Sequence, residues 1–287
     1  MRNVTLDTAA LPADLAAQVE RAVREDLGPG DVSAALIPAD RQARAHVLCR
    51  EAATICCAPW FDETFRQIDP AVTIGWRCAE GADVTTDSIV CELAGPARAV
   101  LTGERIALNF LQLLSATATI TRRYTQAIAG TGCRILDTRK TVPGLRTAQK
   151  YAVRCAGGTN HRIGLYDLVL IKENHIAAAG GITAAVAAAR THQAHGRVEV
   201  ETETLAQVRE ALDAGADIVM LDNFALAQMR AAVALTRAHP HPAQLEVSGG
   251  VTLAGLRTIA ETGVDFISVG ALTKNVEAVD LSMRFDT

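Results

Sequence analysis

The residues best suited to bind a ligand lie where short apolar runs of the sequence end. Six runs rich in Val and Ile occur in the second half of the chain, and each closes on a charged, hydroxyl-bearing or glycine residue. Such runs alternating with helical stretches predict repeated βαβ units and a parallel sheet. Because ligands bind at the carboxyl ends of parallel strands, we expect one active site there. The runs with their closing residues are 134–140, 168–172, 198–201, 218–222, 245–250 and 266–270.

Carboxylates form one part of this predicted site. The third run reads Val-Glu-Val-Glu-Thr-Glu, so Glu199, Glu201 and Glu203 share one face of a strand, which we expect to look into a barrel. Buried carboxylates need cations nearby, and Lys172 from the preceding run is placed to be one. Glu199 and Glu203 fit a structural ion-pair layer in the barrel interior as well as they fit a functional role. Glu201, level with Asp222, is predicted to be functional, and this pair suits Mg²⁺ or the hydroxyls of a sugar.

Cations form the other part. The segments 137–146 and 157–162 combine Arg, Lys and His with Pro and Gly. A guanidinium pairs with a carboxylate or phosphate through two hydrogen bonds, and each charge-assisted bond contributes roughly 1.5–3 kcal/mol. The set therefore predicts a small ligand with several negative charges. The cations assigned to it are Arg139, Lys140, Arg162 and Lys172, whereas Arg146 and Arg154 are interpreted as solvated surface charges.

Glycines after the last two runs predict a phosphate site. Ser248, Gly249 and Gly250 stand directly after one run and before a helical stretch, and Gly270 closes the next run. Without a Cβ in the way, backbone N–H groups there can close on a phosphate. Many barrels bind phosphate after their last two strands, although such turns also use Gly for geometry alone.

Composition limits the class of protein. The chain has 287 residues, of which 49% are hydrophobic and 21% charged, as in ordinary globular proteins. A formal net charge of -4 argues against non-specific binding to nucleic acid or an anionic membrane. Seven cysteines without a C-x-x-C favour a reducing compartment over a disulfide framework or zinc site. Residues 1–7 are too polar for a signal peptide and no run is long enough to span a membrane, so we expect a cytoplasmic protein.

Two domains are predicted. Short strands around helices indicate an α+β domain over residues 1–116, and the βα repeat indicates an α/β domain over residues 117–271, with the tail 272–287 packing on the first. Only six strands are legible, fewer than the eight of a complete barrel, which predicts a partial barrel. An open doubly wound sheet is the alternative, but no G-x-G-x-x-G supports dinucleotide binding.

Several individual elements follow from local patterns. A long apolar helix over 103–129, capped by Thr102 and softly interrupted at 115–117, would join the domains, and the tail 272–285 is predicted to be a last helix. The other predicted helices are 13–26, 61–67, 204–214 and 226–239, and the predicted strands of the first domain include 45–49 and 88–93.

Seven segments together resemble one enzyme family, quinolinate phosphoribosyltransferase, also called carboxylating nicotinate-nucleotide pyrophosphorylase. The likeness covers nearly the whole chain. It implies an N-terminal open-faced α/β sandwich domain followed by an incomplete seven-stranded parallel α/β barrel. The segments are 24–31, 104–112, 137–146, 160–162, 170–175, 199–201 and 248–250.

The resemblance implies a reaction in NAD biosynthesis. Quinolinate and phosphoribosyl pyrophosphate would give nicotinate mononucleotide, pyrophosphate and CO₂, with Mg²⁺ as cofactor. The resemblance also implies a homodimer, or a larger assembly built from it, in which Arg105 completes the neighbouring site. From the residues alone, Arg105 is interpreted as a solvated helix end. No covalent nucleophile is expected, because orientation and charge suffice for this transfer.

The resemblance also implies a role for each site residue. Lys140, Lys172, Glu201 and Asp222 are the predicted catalytic residues, and Thr138 is a predicted substrate contact. The resemblance assigns the quinolinate carboxylates to Arg139, His161, Arg162 and Lys172, phosphates to Lys140, the ribose hydroxyls and metal to Glu201 and Asp222, and the 5′-phosphate to Ser248, Gly249, Gly250, Gly270 and Ala271.

Two other functions are weighed against this one. Lys172, which follows an apolar run, could form a Schiff base as in an aldolase-like lyase, although the surrounding anion-binding groups speak against it. A non-catalytic, metabolite-binding relative of the same fold is the second alternative. The complete set of Arg and Lys residues favours the enzyme.

Overall fold

The computed structural model describes residues 11–192 and 196–286. The described residues divide into two compact units, one made of those within 11–122, 141–157 and 271–286 and the other of those within 123–140, 158–192 and 196–270. Residues 1–7, interpreted above as unlike a signal peptide, lie outside the described residues. Over the described ranges, no helix combines the length and the apolarity needed to cross a membrane.

Helices and strands occupy most of the described chain. In chain order they are α1 (Leu15–Leu27), β1 (Gln42–Cys49), β2 (Ala53–Ile55), α2 (Ala58–Ile68), β3 (Thr73–Trp76), β4 (Ala82–Val84), β5 (Ser88–Pro96), α3 (Ala97–Ala127), β6 (Arg134–Leu136), α4 (Arg146–Cys155), β7 (Val169–Ile171), α5 (Glu173–Ala179), α6 (Ile182–His192), β8 (Val198–Thr202), α7 (Leu205–Asp213), β9 (Ile218–Asp222), α8 (Leu226–Arg237), β10 (Gln244–Ser248), α9 (Leu253–Ala260), β11 (Phe266–Ser268), α10 (Ala271–Lys274) and β12 (Leu281–Phe285). The domain boundary predicted at residue 116 falls inside α3 and stays a prediction.

The first unit is built on an antiparallel sheet of four strands, in the order β12, β1, β5, β3. Alternate residues of β1, namely Ala45, Val47 and Cys49, are fully buried, as expected for a strand with one face on a core. Phe61 of α2 and Leu108 of α3 belong to the same core, and burying side chains of that size stabilises the fold by roughly 1.5–3 kcal/mol each. The helices predicted at 13–26 and 61–67 and the strands predicted at 45–49 and 88–93 are confirmed.

Helix α3 differs from the prediction in its start and in its continuity. It begins at Ala97, directly after Pro96 ends β5, and the Thr102 hydroxyl donates to Asp31 Oδ2 at 2.8 Å instead of capping a helix. The interruption predicted at 115–117 is absent from this described helix, because hydroxyls there donate to carbonyl oxygens one turn earlier without breaking the helix. These bonds run from Thr117 to Leu113, from Thr119 to Ser115 and from Thr121 to Thr117.

The tail is the other element that the pattern mispredicts. The prediction of a helix over 272–285 is wrong beyond the first turn. Only Ala271–Lys274 is helical, and Leu281–Phe285 forms β12. Strand β12 pairs antiparallel with β1, so that Val47 faces Met283 and Cys49 faces Leu281. The period of two is present in Leu-Ser-Met-Arg-Phe, but five residues are too few to outweigh the helical start of the tail.

The second unit is an α/β barrel. Its six parallel strands have the order β6, β11, β10, β9, β8, β7. Strands β7 to β11 are therefore adjacent in the sheet in the same order as in the sequence. The first strand, β6, lies beside the last, β11. A doubly wound sheet would reverse its strand order in the middle, so that alternative is wrong. All six predicted runs are confirmed as strands, and the crossovers predicted at 204–214 and 226–239 are α7 and α8.

A seventh parallel segment is reduced to a single bridge. Thr159 pairs with Leu136 on the edge of β6 that faces away from β11, with Thr159 N donating to Ile135 O at 2.8 Å and Asp137 N to Thr159 O at 3.2 Å. The flanking sequence, Gly157-Gly158-Thr159-Asn160, has no apolar run that could reveal a strand. The sequence pattern therefore shows six strands of a barrel that has seven parallel segments.

The pairing of β12 predicts the effect of truncating its buried side chain. Leu281 is 7% exposed, so Leu281→Ala should lower the free energy of unfolding by about 2–4 kcal/mol through lost burial and a residual cavity. Arg284→Ala, at an exposed position of the same strand, should change it by less than about 0.5 kcal/mol. Urea denaturation followed by circular dichroism measures both. Equal effects would mean that β12 does not seal the core of the first unit.

Candidate active site

A buried carboxylate holds the bridged segment against the end of β6. Asp137 follows β6 and is fully buried. Its Oδ1 accepts a hydrogen bond from His161 N at 2.9 Å, and its Oδ2 accepts one from the Asn160 side-chain amide at 2.6 Å. Charge-assisted bonds of this kind are among the stronger ones in proteins. The segment is thereby fixed to the loop that carries Arg139 and Lys140.

Two guanidinium groups act on each other in this region. Burial, and then the positive charge of Arg139, lower the pKa of Arg162. Arg162 Nη1 donates to Leu168 O at 3.4 Å, a long bond that offers little compensation. An anion between two such groups would relieve their repulsion and could accept several hydrogen bonds. The pair therefore suits a carboxylate or a phosphate.

A cation and two carboxylates lie at the ends of the next three strands. Lys172 Nζ, after β7, donates to Glu201 Oε2 of β8 at 2.7 Å, which confirms the predicted pairing of Lys172 with the acidic face. Burial and the negative charge of Glu201 raise the pKa of Asp222, the last residue of β9, while Lys172 and Lys140 lower it. These four side chains therefore share one electrostatic environment at the carboxyl ends of the strands.

Glu201 and Asp222 fit the requirements of Mg²⁺. Burial, and then the negative charge of Glu201, raise the pKa of Asp222, and a divalent cation would favour the charged form of both carboxylates. Mg²⁺ in phosphate-handling sites commonly takes only one or two protein carboxylates and completes its shell with water and substrate oxygens. The donor set is thus sufficient in number and chemistry.

The turn after β10 has the geometry expected of a phosphate-binding loop. Ser248 ends β10 directly beside Asp222 in the parallel register. Gly249 has φ +91°, and a Cβ on it would collide with the Asn223 side chain, so only glycine fits. Gly250, with φ +58°, also adopts a backbone that favours glycine, and both residues are exposed to solvent. Their amides are therefore accessible to an anion.

Gly270 brings the end of β11 close to the loop after β6. A Cβ on Gly270 would lie 3.1 Å from Lys140 Cδ and 3.6 Å from Thr138 Oγ1. The Thr138 hydroxyl in turn accepts a hydrogen bond from Lys140 N at 3.1 Å. Because no side chain intervenes, the Lys140 ammonium can lie over the Gly270 backbone. Gly270 therefore allows the Lys140 side chain to approach the backbone closely, in addition to any contact with a phosphate.

Beneath these residues the barrel interior holds a polar cluster. Glu199 and Glu246 are fully buried, and His161 Nε2 lies 2.9 Å from Glu199 Oε2 and 3.4 Å from Glu246 Oε2. The predicted inward face of β8 is confirmed for Glu199 and Glu201, whereas Glu203 follows the strand end and is exposed. Glu199 thus belongs to a structural polar layer, one of the two interpretations given to it.

Most of the predicted site residues meet at one end of the barrel. Arg105 and Ala271 belong to the first unit, where Arg105 is exposed on α3 and Ala271 begins α10. The residues brought together by the barrel are Thr138, Arg139, Lys140, His161, Arg162, Lys172, Glu201, Asp222, Ser248, Gly249, Gly250 and Gly270. Their individual roles in binding stay predictions.

Two buried residues of this region were not identified from the sequence. Glu246 stands two residues before Ser248 in an apolar strand, and the same alternation that identified Glu199 could have found it. Asp137 is the first residue of the segment 137–146, but its role as an acceptor for residues 160 and 161 depends on the bridge at Thr159. Sequence spacing gives no signal for that contact.

Comparison with known proteins agrees with this geometry. Models of the N-terminal and C-terminal domains of quinolinate phosphoribosyl transferase match residues 31–115 and 117–284. A probable carboxylating nicotinate-nucleotide pyrophosphorylase of Synechocystis sp. is 43% identical over 91% of this chain and 88% of its own. Its counterpart from Bacillus subtilis is 42% identical over 90% of this chain and 89% of its own.

A solved structure shows the same fold. The nicotinate-nucleotide pyrophosphorylase of Francisella tularensis superposes with a TM-score of 0.92 at 44% identity, covering 96% of this chain and 98% of that one. The two domain models together account for nearly all described residues beyond the first helix. This chain therefore belongs to the quinolinate phosphoribosyl transferase family.

Proposed function

We propose that this chain transfers the phosphoribosyl group of phosphoribosyl pyrophosphate to quinolinate and releases pyrophosphate and CO₂, giving nicotinate mononucleotide for NAD biosynthesis. Membership of the family supports the reaction. The observation that carries the proposal is the grouping of Arg139, Arg162 and Lys172 around the strand ends, where burial and then the charge of Arg139 lower the pKa of Arg162 and where a dianionic substrate would supply the opposite charge. Arg139, Arg162 and Lys172 bind the two quinolinate carboxylates, with His161 next to Arg162.

The remaining residues bind the activated sugar. Glu201 and Asp222 accept hydrogen bonds from the ribose hydroxyls, and Lys140 pairs with the phosphates. The amides of Gly249, Gly250 and Gly270, with the Ser248 hydroxyl, hold the 5′-phosphate, to which Thr138 and Ala271 contribute. The cations follow β6 and β7, whereas the carboxylates lie at the ends of β8 and β9, and this arrangement supports the division.

The chemistry follows from orientation and charge. The pyridine nitrogen of quinolinate forms a bond to the anomeric carbon as the bond from that carbon to pyrophosphate breaks, through a state with positive charge on the ribose. The carboxylates of Glu201 and Asp222 stabilise that charge, and Lys140 stabilises the leaving pyrophosphate. Bound Mg²⁺ supplies further neutralisation of the pyrophosphate.

Loss of CO₂ follows from the same bond. Once the pyridine nitrogen is quaternary, the bond between the ring and the adjacent carboxylate breaks and leaves its electron pair on the ring carbon. The ring cation stabilises this carbanion, which then takes a proton from water. The protein contributes by holding the carboxylate in place through Arg139 and Arg162, and no covalent nucleophile is required.

The proposal extends to the assembly and the compartment. Arg105 is an exposed cation on α3, next to the buried residues Ile106 and Ala107, and we propose that it completes the site of a partner in a homodimer. All seven cysteines are free, which supports a reducing compartment such as the cytoplasm.

Arg162 provides the test of the reaction. The wild-type chain should release pyrophosphate and CO₂ with quinolinate and not with nicotinate. Arg162→Ala should raise the KM for quinolinate by at least about 100-fold, since two charge-assisted hydrogen bonds contribute roughly 3–6 kcal/mol together. The KM for phosphoribosyl pyrophosphate should change little. Arg230→Ala removes an exposed guanidinium from α8 and is the matched control. A wild-type chain inactive with quinolinate, or a fully active Arg162→Ala, would contradict the proposal.

Metal removal tests the role of Glu201 and Asp222. A chelator should abolish activity, and Mg²⁺ should restore it. Asp222→Asn should raise the Mg²⁺ concentration for half-maximal rate by about tenfold or more, because one charged oxygen ligand is lost. Calorimetry of phosphoribosyl pyrophosphate binding, with and without Mg²⁺, gives a readout independent of turnover. Asp213→Asn, an exposed carboxylate paired with His239, is the control. Activity that survives chelation would refute the metal assignment.

Mixing two inactive variants tests the shared site. If Arg105 serves the partner's site, co-expressed Arg105→Ala and Arg162→Ala chains should form mixed dimers with one intact site of two, so the isolated mixed dimers should recover about half of the wild-type activity. If Arg105 serves its own chain, both sites of the mixed dimer are defective and activity stays at background. The assay is pyrophosphate release after purification through a different affinity tag on each chain.

A further inference from the structure

Three segments of the first unit bring two thiols and a carboxylate together. The sulfur atoms of Cys56 and Cys155 and a carboxylate oxygen of Glu80 all lie within 4.8 Å of one another. Cys56 stands between β2 and α2, Glu80 shortly before β4, and Cys155 at the end of α4. Because the three residues are distant in sequence, no local motif reveals the cluster. Two sulfurs and one carboxylate oxygen are ligands that Zn²⁺ accepts.

The separations between these atoms are close to those of ligands around one metal ion. Glu80 Oε1 lies 3.2 Å from Cys56 Sγ and 3.9 Å from Cys155 Sγ. Around a tetrahedral Zn²⁺, with bonds of about 2.3 Å to sulfur and about 2.1 Å to oxygen, a sulfur and an oxygen ligand are about 3.6 Å apart. The two observed distances lie on either side of that value. Shifts of a few tenths of an ångström would therefore admit the ion.

The backbone around the cluster is fixed by contacts that need no metal. Cys56 N donates to Ser115 Oγ of α3 at 3.0 Å, and Ser115 Oγ donates to Cys56 O at 3.2 Å. Gly81 N donates to Ile55 O at 2.8 Å, and a Cβ on Gly81 would lie 2.8 Å from Cys155 O. The glycine thus lets the three segments lie side by side. Ligands held in this way lose little conformational freedom when they bind an ion.

Glu80 can bind an ion while it caps a helix. Its Oε2 accepts a hydrogen bond from Ala58 N at 3.1 Å and its Oε1 accepts one from Cys57 N at 2.5 Å, both at the N-terminus of α2. A carboxylate oxygen has two lone pairs, and the second one of Oε1 is available to the sulfurs of Cys56 and Cys155. Thiols are weak donors, so they compensate the negative charge poorly. A cation would compensate it far better.

Charge and exposure also suit a divalent cation. Two thiolates and one carboxylate carry three negative charges, of which the ion neutralises two. The N-terminus of α2, which Glu80 caps, lies beside the remaining charge and favours it. Cys56 is fully buried, whereas Glu80 and Cys155 are half-buried, so an ion can enter from their side.

Metal binding fits this cluster better than a redox disulfide does. Cysteines that react with oxidants are usually exposed and lie beside a cation. Cys56 is fully buried, and the group that faces both sulfurs is the carboxylate of Glu80. The sulfur ligands select a thiophilic ion over Mg²⁺, which prefers oxygen ligands throughout.

We propose that Cys56, Glu80 and Cys155 form a binding site for a thiophilic divalent cation of the Zn²⁺ class, with water as the fourth ligand. The bound ion joins the N-terminus of α2 to the end of α4 and stabilises the first unit. It takes no part in phosphoribosyl transfer. The inference therefore does not rest on the proposed function.

Titration of the reduced full chain with Co²⁺ tests the site directly. Excess Mg²⁺ is kept present so that sites made of oxygen ligands are filled. One Co²⁺ per chain should bind with the charge-transfer absorption of sulfur ligands, and Zn²⁺ should displace it. Absence of this absorption would overturn the proposal. Loss of two free thiols without bound metal would indicate a disulfide between Cys56 and Cys155 and would overturn it as well.

Cys155→Ser removes one sulfur ligand from a half-buried position. The Kd for Co²⁺ should rise by at least about 100-fold, because even the loss of a residue that only supports a metal ligand commonly costs about 10- to 100-fold. Cys78→Ser is the control, since Cys78 is also free and half-buried but lies outside the cluster, with its thiol directed to Val90 O. Circular dichroism checks that both variants fold. Equal affinities of the two variants for Co²⁺ would contradict the proposal.

Thermal unfolding gives a second readout. With Mg²⁺ already present, Zn²⁺ at about 100 times its Kd should raise the Tm of the wild type by about 5 °C. The Tm of Cys155→Ser should stay unchanged at the same Zn²⁺ concentration. A wild-type Tm that Zn²⁺ does not raise would refute the stabilising role. Neither readout uses turnover, so an inactive wild-type chain would refute the proposed function without deciding this site.

Discussion

The buried carboxylate of Asp137 is the contact on which the proposed site depends. It joins the end of β6 to residues 160 and 161 through two short hydrogen bonds, in a place without solvent to replace them. The edge of the barrel there consists of one bridge at Thr159, which is too little pairing to fix a segment alone. Asp137 supplies the missing constraint, so that Arg162 stays near Arg139 despite the repulsion between them.

Charge is arranged in two layers within the barrel. In the interior, the fully buried Glu199 and Glu246 lie 2.9 and 3.4 Å from His161 Nε2. At the rim, Lys172 and Asp222 are partly or fully open to solvent, which screens them when no substrate is bound. A parallel barrel produces this arrangement because alternate residues of one strand point inward at successive levels. The rim can therefore be strongly charged while the interior remains stable.

The local pattern of the sequence predicted the elements whose period is sustained. Six strands and the crossover helices α7 and α8 were identifiable because apolar runs and amphipathic stretches of adequate length repeat. The failures have one cause: residues whose conformation is decided by distant partners. Leu281–Phe285 forms a strand by pairing with β1, and Thr102 lies inside α3, where its hydroxyl donates to Asp31 Oδ2. Glu246 was visible as an alternation but carries no signal of its partner His161, which is distant in sequence.

The ion pair of Lys172 and Glu201 connects the two halves of the rim. Lys172 Nζ and Glu201 Oε2 are 2.7 Å apart, yet the proposed function gives them different ligands, a quinolinate carboxylate and the ribose. Both can be satisfied only if the pair opens. Its side chains are 47% and 18% exposed, and pairs this close to solvent contribute little to stability, so opening costs little. Binding of one substrate would therefore release the partner residue for the other, which couples the two binding events without any movement of the barrel.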